Sequence, residues 1–165
     1  MKILVFSDSH GNLSLIKKAM EQHAYNTDLI LHLGDNASDA RYFQKHYSHI
    51  ANINFFGNCD YFTQGVDAFD EKVFQLGSTS ICGFASHGHN YNVNNNLDIL
   101  YSKARITKSS IAFYGHTHIA DIKERHGIIL MNPGSSSLPR GTEPASYGIV
   151  TIENNQIMPT VIFDS

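Results

Sequence analysis

Three times in its first sixty residues the chain runs from a strand-like stretch straight into a polar loop. Ile3-Leu4-Val5-Phe6 ends in Ser7-Asp8, Leu29-Ile30-Leu31-His32-Leu33 ends in Gly34-Asp35, and residues 52–56 end in Gly57-Asn58-Cys59-Asp60. A strand that is apolar on both faces has to be covered on both faces, which is the situation of a parallel sheet flanked by helices. The intervening segments supply those helices. Asn12 is placed to cap a helix in which Leu13, Ile16 and Met20 recur at helical spacing, and residues 38–46 form a second, shorter one.

The pattern changes after residue 61. Residues 72–76 and 79–85 read as a hairpin across Gly77-Ser78, and its second arm leads into Ser86-His87-Gly88-His89. An Asn-rich loop over 90–96 precedes a helix over 97–107, and a short strand over 111–114 ends in Gly115-His116-Thr117-His118. Residues 119–123, 127–131, 147–152 and 157–163 read as antiparallel strands, the last two joined through Asn154-Asn155. No stretch between 57 and 80 is rich enough in Pro or Ser to separate two cores, so residues 1–165 are expected to form one α/β domain with two packed sheets and helices outside.

Charge and cysteine content narrow the function. Twelve Lys and Arg against 15 Asp and Glu give a formal charge of −3, which disfavours stable nucleic-acid binding or capture by an anionic membrane. Cys59 and Cys82 cannot make a disulfide framework, no C-x-x-C pair is present, and a reducing cytoplasm fits. The opening apolar run is only four residues long, too short for a signal peptide, and no run approaches the roughly 20 needed to span a bilayer. Ten histidines are the compositional oddity, and half of them fall at strand ends. His23, His46, His49 and His126 lie in polar surroundings and are expected to be solvated, whereas His32, inside an apolar strand, is expected to be packed with one hydrogen bond.

The strand ends carry ligand types suited to divalent cations. In extended backbone Asp8 and His10 point the same way, so a carboxylate oxygen and an imidazole can converge on one ion. Asp35 offers two oxygens that can bridge two cations, and Asn58 a neutral amide oxygen. His87, His89, His116 and His118 add imidazoles at the ends of two further strands. These four imidazoles with His10, two carboxylates and one amide exceed the needs of one ion, so two adjacent ions sharing Asp35, about 3.5–4 Å apart, are expected. The mixed nitrogen and oxygen set suits Mn, Fe, Zn, Co or Ni, with Mn the first expectation, better than Mg.

Taken in order, Asp8-Ser9-His10, Gly34-Asp35, Gly57-Asn58, His87-Gly88-His89 and Gly115-His116-Thr117-His118 resemble the signature of the calcineurin-like metallophosphoesterases. Asn132-Pro133-Gly134-Ser135 and the short length are similar to their small bacterial and archaeal phosphodiesterase branch. The resemblance implies a four-layer α/β/β/α sandwich with two packed mixed β-sheets. It also implies that Asp8, His10, Asp35 and His118 hold one metal, and Asp35, Asn58, His87 and His116 the other. It further implies that the Asn132 turn supports the site from below, with Ser135, Ser136, Ser137 and Arg140 along the entrance. Many members carry His after the Asn as the acid that protonates the leaving group. Here Cys59 stands in that place, and a thiol with an ordinary pKa near 8.5 is poorly matched to that task, so His89 is the second candidate acid.

The expected reaction is attack of a metal-bridging hydroxide on a small phosphodiester, aryl esters reacting better than alkyl monoesters. Three alternatives differ in what they require. A phosphomonoesterase or protein phosphatase would share the metals, a nuclease would need a basic groove, and a non-catalytic scaffold on the same fold would have lost ligands. A homodimer is expected only as the commonest assembly.

Overall fold

The computed structural model describes residues 1–60 and 65–165. Among the described residues ten strands and three α-helices follow one another as β1 (Lys2–Phe6), α1 (Ser14–His23), β2 (Leu29–His32), α2 (Ala40–His46), β3 (Ala51–Asn54), β4 (Glu71–Gln75), β5 (Cys82–Ser86), α3 (Asp98–Ile106), β6 (Ile111–Phe113), β7 (Ala120–Arg125), β8 (Ile128–Pro133), β9 (Ser146–Glu153) and β10 (Gln156–Phe163). The first sheet has the order β10-β9-β1-β2-β3 and the second β4-β5-β6-β8-β7. Both are mixed. β1, β2 and β3 run parallel, as do β5, β6 and β8, while β9, β10, β4 and β7 pair antiparallel.

Three apolar layers hold four structural layers together. Ile3, Val5, Leu31, Phe113 and Val150 interdigitate between the two sheets. On the outer face of the first sheet, Leu4, Phe6 and Ile30 pack against Ile16 and Met20 of α1 and Phe43 of α2. On the outer face of the second, Phe84, Ala112 and Leu130 meet Leu100, Tyr101 and Ala104 of α3. This is the expected α/β/β/α sandwich, and it follows from strands with no polar face that need cover on both sides.

Local chemistry moved some boundaries. Helix α1 begins at Ser14 with Leu13 at its boundary, so Asn12 sits one residue too early to be the cap, although its Oδ1 accepts the Ser14 N–H at 3.0 Å. β5 begins at Cys82 rather than 79, because Thr79 Oγ1 donates to Leu76 O at 2.6 Å and accepts from Ile81 N–H at 3.1 Å, closing a turn in place of a ladder. Asn154 and Asn155 both adopt positive φ, at 51° and 61°, as a tight β9–β10 hairpin requires. His32 is fully buried and its Nε2 lies 2.9 Å from Ser9 Oγ, as expected. His23 departs from expectation: it is half-buried, with ring nitrogens 3.2 Å from Lys2 Nζ and 2.9 Å from Tyr147 OH. Among the described residues no helix is long and apolar enough to cross a membrane.

Leu31 is fully buried between the sheets, so Leu31→Ala is expected to cost about 2–5 kcal/mol of unfolding free energy in urea titrations at unchanged m-value.

Candidate metal centre

Parallel strands align their C-terminal ends, and here the two sheets present those ends along one edge of the sandwich. β1 leads to Asp8 and His10, β2 to Asp35, β3 to Asn58, β5 to His87, and β6 to His116 and His118. Asp8, His10, Asp35 and His118 each bring a ligand atom within 4.8 Å of the other three. His10 Nε2 lies 3.4 Å from His118 Nε2 and 3.8 Å from Asp35 Oδ2, and His118 Nε2 lies 3.2 Å from Asp8 Oδ1. His87 Nε2 lies 3.5 Å from Asp35 Oδ1 and 3.9 Å from Asp8 Oδ1. The His116 and His89 rings lie 5.2 and 5.4 Å from the His87 ring.

These positions are held by an uncommon backbone. Asp8, His10, Asp35, His116 and His118 all have positive φ, between 45° and 67°, a conformation that costs a residue with a side chain roughly 1–3 kcal/mol. Hydrogen bonds between strand ends fix it. Asp8 N–H donates to Gly34 O at 3.0 Å, His10 N–H to Asp35 O at 3.2 Å, and Gly115 N–H to His87 O at 2.9 Å. Gly57 and Gly115 are required by close approach: a Cβ at Gly57 would stand 2.1 Å from Asp35 Oδ1, and one at Gly115 1.9 Å from Ser7 Oγ.

The donor set fits divalent cations. His87 Nδ1 donates to Leu33 O at 2.9 Å and His118 Nδ1 to Leu138 O at 2.6 Å, which leaves each Nε2 lone pair aimed at the carboxylates. Among the described residues, Asp8 Oδ1, Asn58 Oδ1 and His87 Nε2 are buried without a hydrogen-bond partner. The 3.2 Å approach of His118 Nε2 to Asp8 Oδ1 is therefore a convergence of two acceptors unless a proton or a cation lies between them. The titration behaviour agrees. Burial opposes charge on Asp8 and Asp35, yet the His118 imidazole beside Asp8 and the His87 imidazole beside Asp35 hold both carboxyls below their usual range. The adjoining Asp8 carboxylate lifts His118 in spite of burial; burial also opposes charge on His87, but the neighbouring Asp35 and Asp8 carboxylates outweigh it. His89 and His116 are lowered, by burial and then by the His87 charge. Burial and the Asp35 carboxylate push the exposed Cys59 thiol up to about 11, so it stays protonated at neutral pH.

The calcineurin-like phosphoesterase superfamily domain matches residues 1–155. The chain belongs to this superfamily. It is 32% identical over 156 residues to the probable metallophosphoesterase YsnB of Bacillus subtilis, covering 94% of this chain and 86% of that one. It is 27% identical over 173 residues to the phosphodiesterase YfcE of Escherichia coli K12, covering 91% and 87%. A crystal structure of a conserved protein from Streptococcus pneumoniae, described as a predicted phosphoesterase, superposes with a TM-score of 0.81 at 28% identity, covering 98% of this chain and 88% of that one.

The superfamily's metal-binding hydrolase chemistry thus has an Asp/His cluster here to act through. Several of its supports carry no sequence signal of their own. The Leu33 and Leu138 carbonyls that orient His87 and His118 are backbone atoms. Ser7, whose Oγ donates to Asp8 Oδ2 at 2.6 Å, and Asp60, which accepts the Asn36, Ala37 and Gly57 N–H groups, look like ordinary loop residues. The Asn132 turn does lie beneath the site, with Asn132 Nδ2 donating to Gly115 O at 3.0 Å. Ser135 and Ser136 do not line an entrance: both are buried and donate to the Asp8 and Ser7 carbonyls. Arg140 instead lines an open cavity of about 860 Å³ beside the cluster, with Asn94, Thr117 and Ile119.

Mn²⁺ at 100 times its Kd is expected to stabilise the protein by about 2.7 kcal/mol in thermal melts, and Asp35→Asn should abolish that gain. Because His87 and His118 hold their protons to higher pH than free imidazole, Mn²⁺ affinity should rise with pH through their titration, with proton release detectable by calorimetry in buffers of different ionisation enthalpy.

Proposed function

We propose that the protein is a dinuclear metal-dependent phosphodiesterase acting on small phosphodiesters in the cytoplasm, as one domain over residues 1–165. The observation that carries this reading is the buried, unpartnered His87 Nε2, 3.5 Å from Asp35 Oδ1 but outside the four-ligand cluster that already suits one cation, together with the buried, unpartnered Oδ1 of Asn58. Asp8, His10, Asp35 and His118 would hold the first ion, and Asp35, Asn58, His87 and His116 the second. Mn is the preferred metal, with Fe, Zn, Co or Ni compatible with the same donors. Two such cations would supply a water-derived nucleophile at neutral pH and neutralise phosphate charge.

The chain's own groups complete the reaction. Asp8 and Asp35, ionised and fixed at strand ends, set the site's geometry. His89 is the group we assign to give a proton to the departing ester oxygen: its Nδ1 is buried without a partner, and its ring adjoins those of His87 and His116. Cys59 is the other candidate, though its thiol is too weak an acid for this task near neutrality. The neighbouring cavity suits a small substrate and carries mixed charge, with Lys123, Arg125 and Arg140 against Asp121 and Glu124, which does not suit a nucleic-acid strand. The name of the E. coli relative, a phosphodiesterase, supports the diester preference. A homodimer is the assembly we expect.

Metal-defined protein assayed on bis(p-nitrophenyl) phosphate and p-nitrophenyl phosphate should favour the diester in kcat/KM and depend on Mn²⁺; a monoester preference would replace the reading with a phosphomonoesterase, and inactivity on both with a scaffold. His89→Ala should steepen the dependence of kcat on leaving-group pKa, with losses of about 10²–10⁴ for poor leaving groups and little change for p-nitrophenol, while Cys59→Ser should leave that dependence unchanged.

A further inference from the structure

The Asn-rich loop between β5 and α3 has no part in the ligand set, yet it touches it. Asn94 Nδ2 lies 2.9 Å from His116 Nε2. The loop is braced for this contact. Tyr91 and Val93, just before Asn94, are buried in the layer between the second sheet and α3, and Val93 packs against Gly88, whose added Cβ would stand 3.1 Å from it. Asn95 Nδ2 donates to Asn92 Oδ1 at 2.7 Å, and Asn96 Oδ1 accepts the Asp98 N–H at 3.0 Å at the start of α3. Asn92 itself takes positive φ, at 54°, and Asn95 N–H closes back onto its carbonyl at 3.0 Å. Asn94 is left at the apex with its amide against the imidazole.

We propose that Asn94 is the positioning residue of His116, fixing which ring nitrogen is available to the second cation. The inference rests on the reading that His116 is a ligand of that cation. His87 and His118 are each anchored through Nδ1 by a backbone carbonyl and present Nε2. His116 is anchored the other way round: Nε2 is engaged by the amide, so Nδ1 is the nitrogen left to ligate. A ligating imidazole carries its proton on the opposite nitrogen, and an outer partner that accepts that proton fixes the ring and strengthens the ligand. An Asn amide meets either requirement, because a half-turn about its last bond exchanges Nδ2 for Oδ1. With Nδ2 facing the ring the amide donates to Nε2, and the ring proton sits on Nδ1. With Oδ1 facing it the amide accepts from Nε2–H, and Nδ1 is free. The proton moves from one ring nitrogen to the other through water, and none is gained or lost.

Substitution separates the two directions of this hydrogen bond. Asp at position 94 can only accept, Leu keeps the size and can do neither. Zn²⁺ titrations by calorimetry should show the second binding event weakened about 10- to 100-fold in Asn94→Leu and retained in Asn94→Asp, with the first event unchanged in both. Long-range ¹H–¹⁵N spectra of the Zn²⁺-loaded protein should place the His116 proton on Nε2 in the wild type and in Asn94→Asp. Equal affinity in Asn94→Leu, or loss in Asn94→Asp as large as in Asn94→Leu, would overturn the proposal. His116→Ala is the separate control: if it keeps both binding events, the ligand assignment fails, and if it loses the second while Asn94→Leu does not, only the role of Asn94 fails.

Discussion

Two ionised carboxylates, Asp8 and Asp35, are buried side by side at the ends of adjacent parallel strands, and the architecture around them exists to make that tolerable. A lone buried carboxylate would be driven to take up a proton. Here the opposite holds: both are kept below their usual range by imidazoles on the facing sheet, His118 and His87. The sandwich is what allows this. Carboxylates come from the first sheet and most imidazoles from the second, so the charge balance is made only when the two sheets close over their shared core. A site divided in this way couples cation binding to the packing of the whole chain.

Strain is the second half of the arrangement. Five of the site's side chains, Asp8, His10, Asp35, His116 and His118, project from backbone with positive φ, and such geometry persists only where the surroundings over-determine it. The overdetermination is visible in the floor of the site. Ser135 Oγ donates to Asp8 O at 2.7 Å, Ser137 Oγ to the same oxygen at 3.2 Å, and Ser136 N–H to Ser7 O at 3.0 Å, so one loop after β8 clamps the end of β1. Gly115 lets β6 approach that same point, close enough that any side chain would meet Ser7. Residues that bind nothing themselves thus set the positions of those that do.

Much of this was legible in the sequence, for a physical reason. A strand buried on both faces is a continuous apolar run, and the first polar residues after it are delivered to the sheet edge, so Asp8, Asp35, His87 and His118 could be placed from pattern alone. What lay beyond reach was long-range or carried by atoms every residue has. The hairpins β7–β8 and β9–β10 look alike in sequence, yet the first joins the second sheet and the other returns to pair with β1. His23 reads as a surface residue because its neighbours in sequence are polar, whereas Tyr147, more than 120 positions away, half-buries it. The anchoring carbonyls of Leu33 and Leu138, and the serines that became buried clamps instead of an entrance, depend on loop paths that no local periodicity records.

The central claim is that Asp35 is shared between two cations. Electron paramagnetic resonance of the protein loaded with Mn²⁺, taken with the metal content per chain, tests it directly. Two ions per chain with the broadened, exchange-coupled spectrum of a close pair is the predicted result. One ion per chain at saturation, with the six-line spectrum of isolated Mn²⁺, would contradict it.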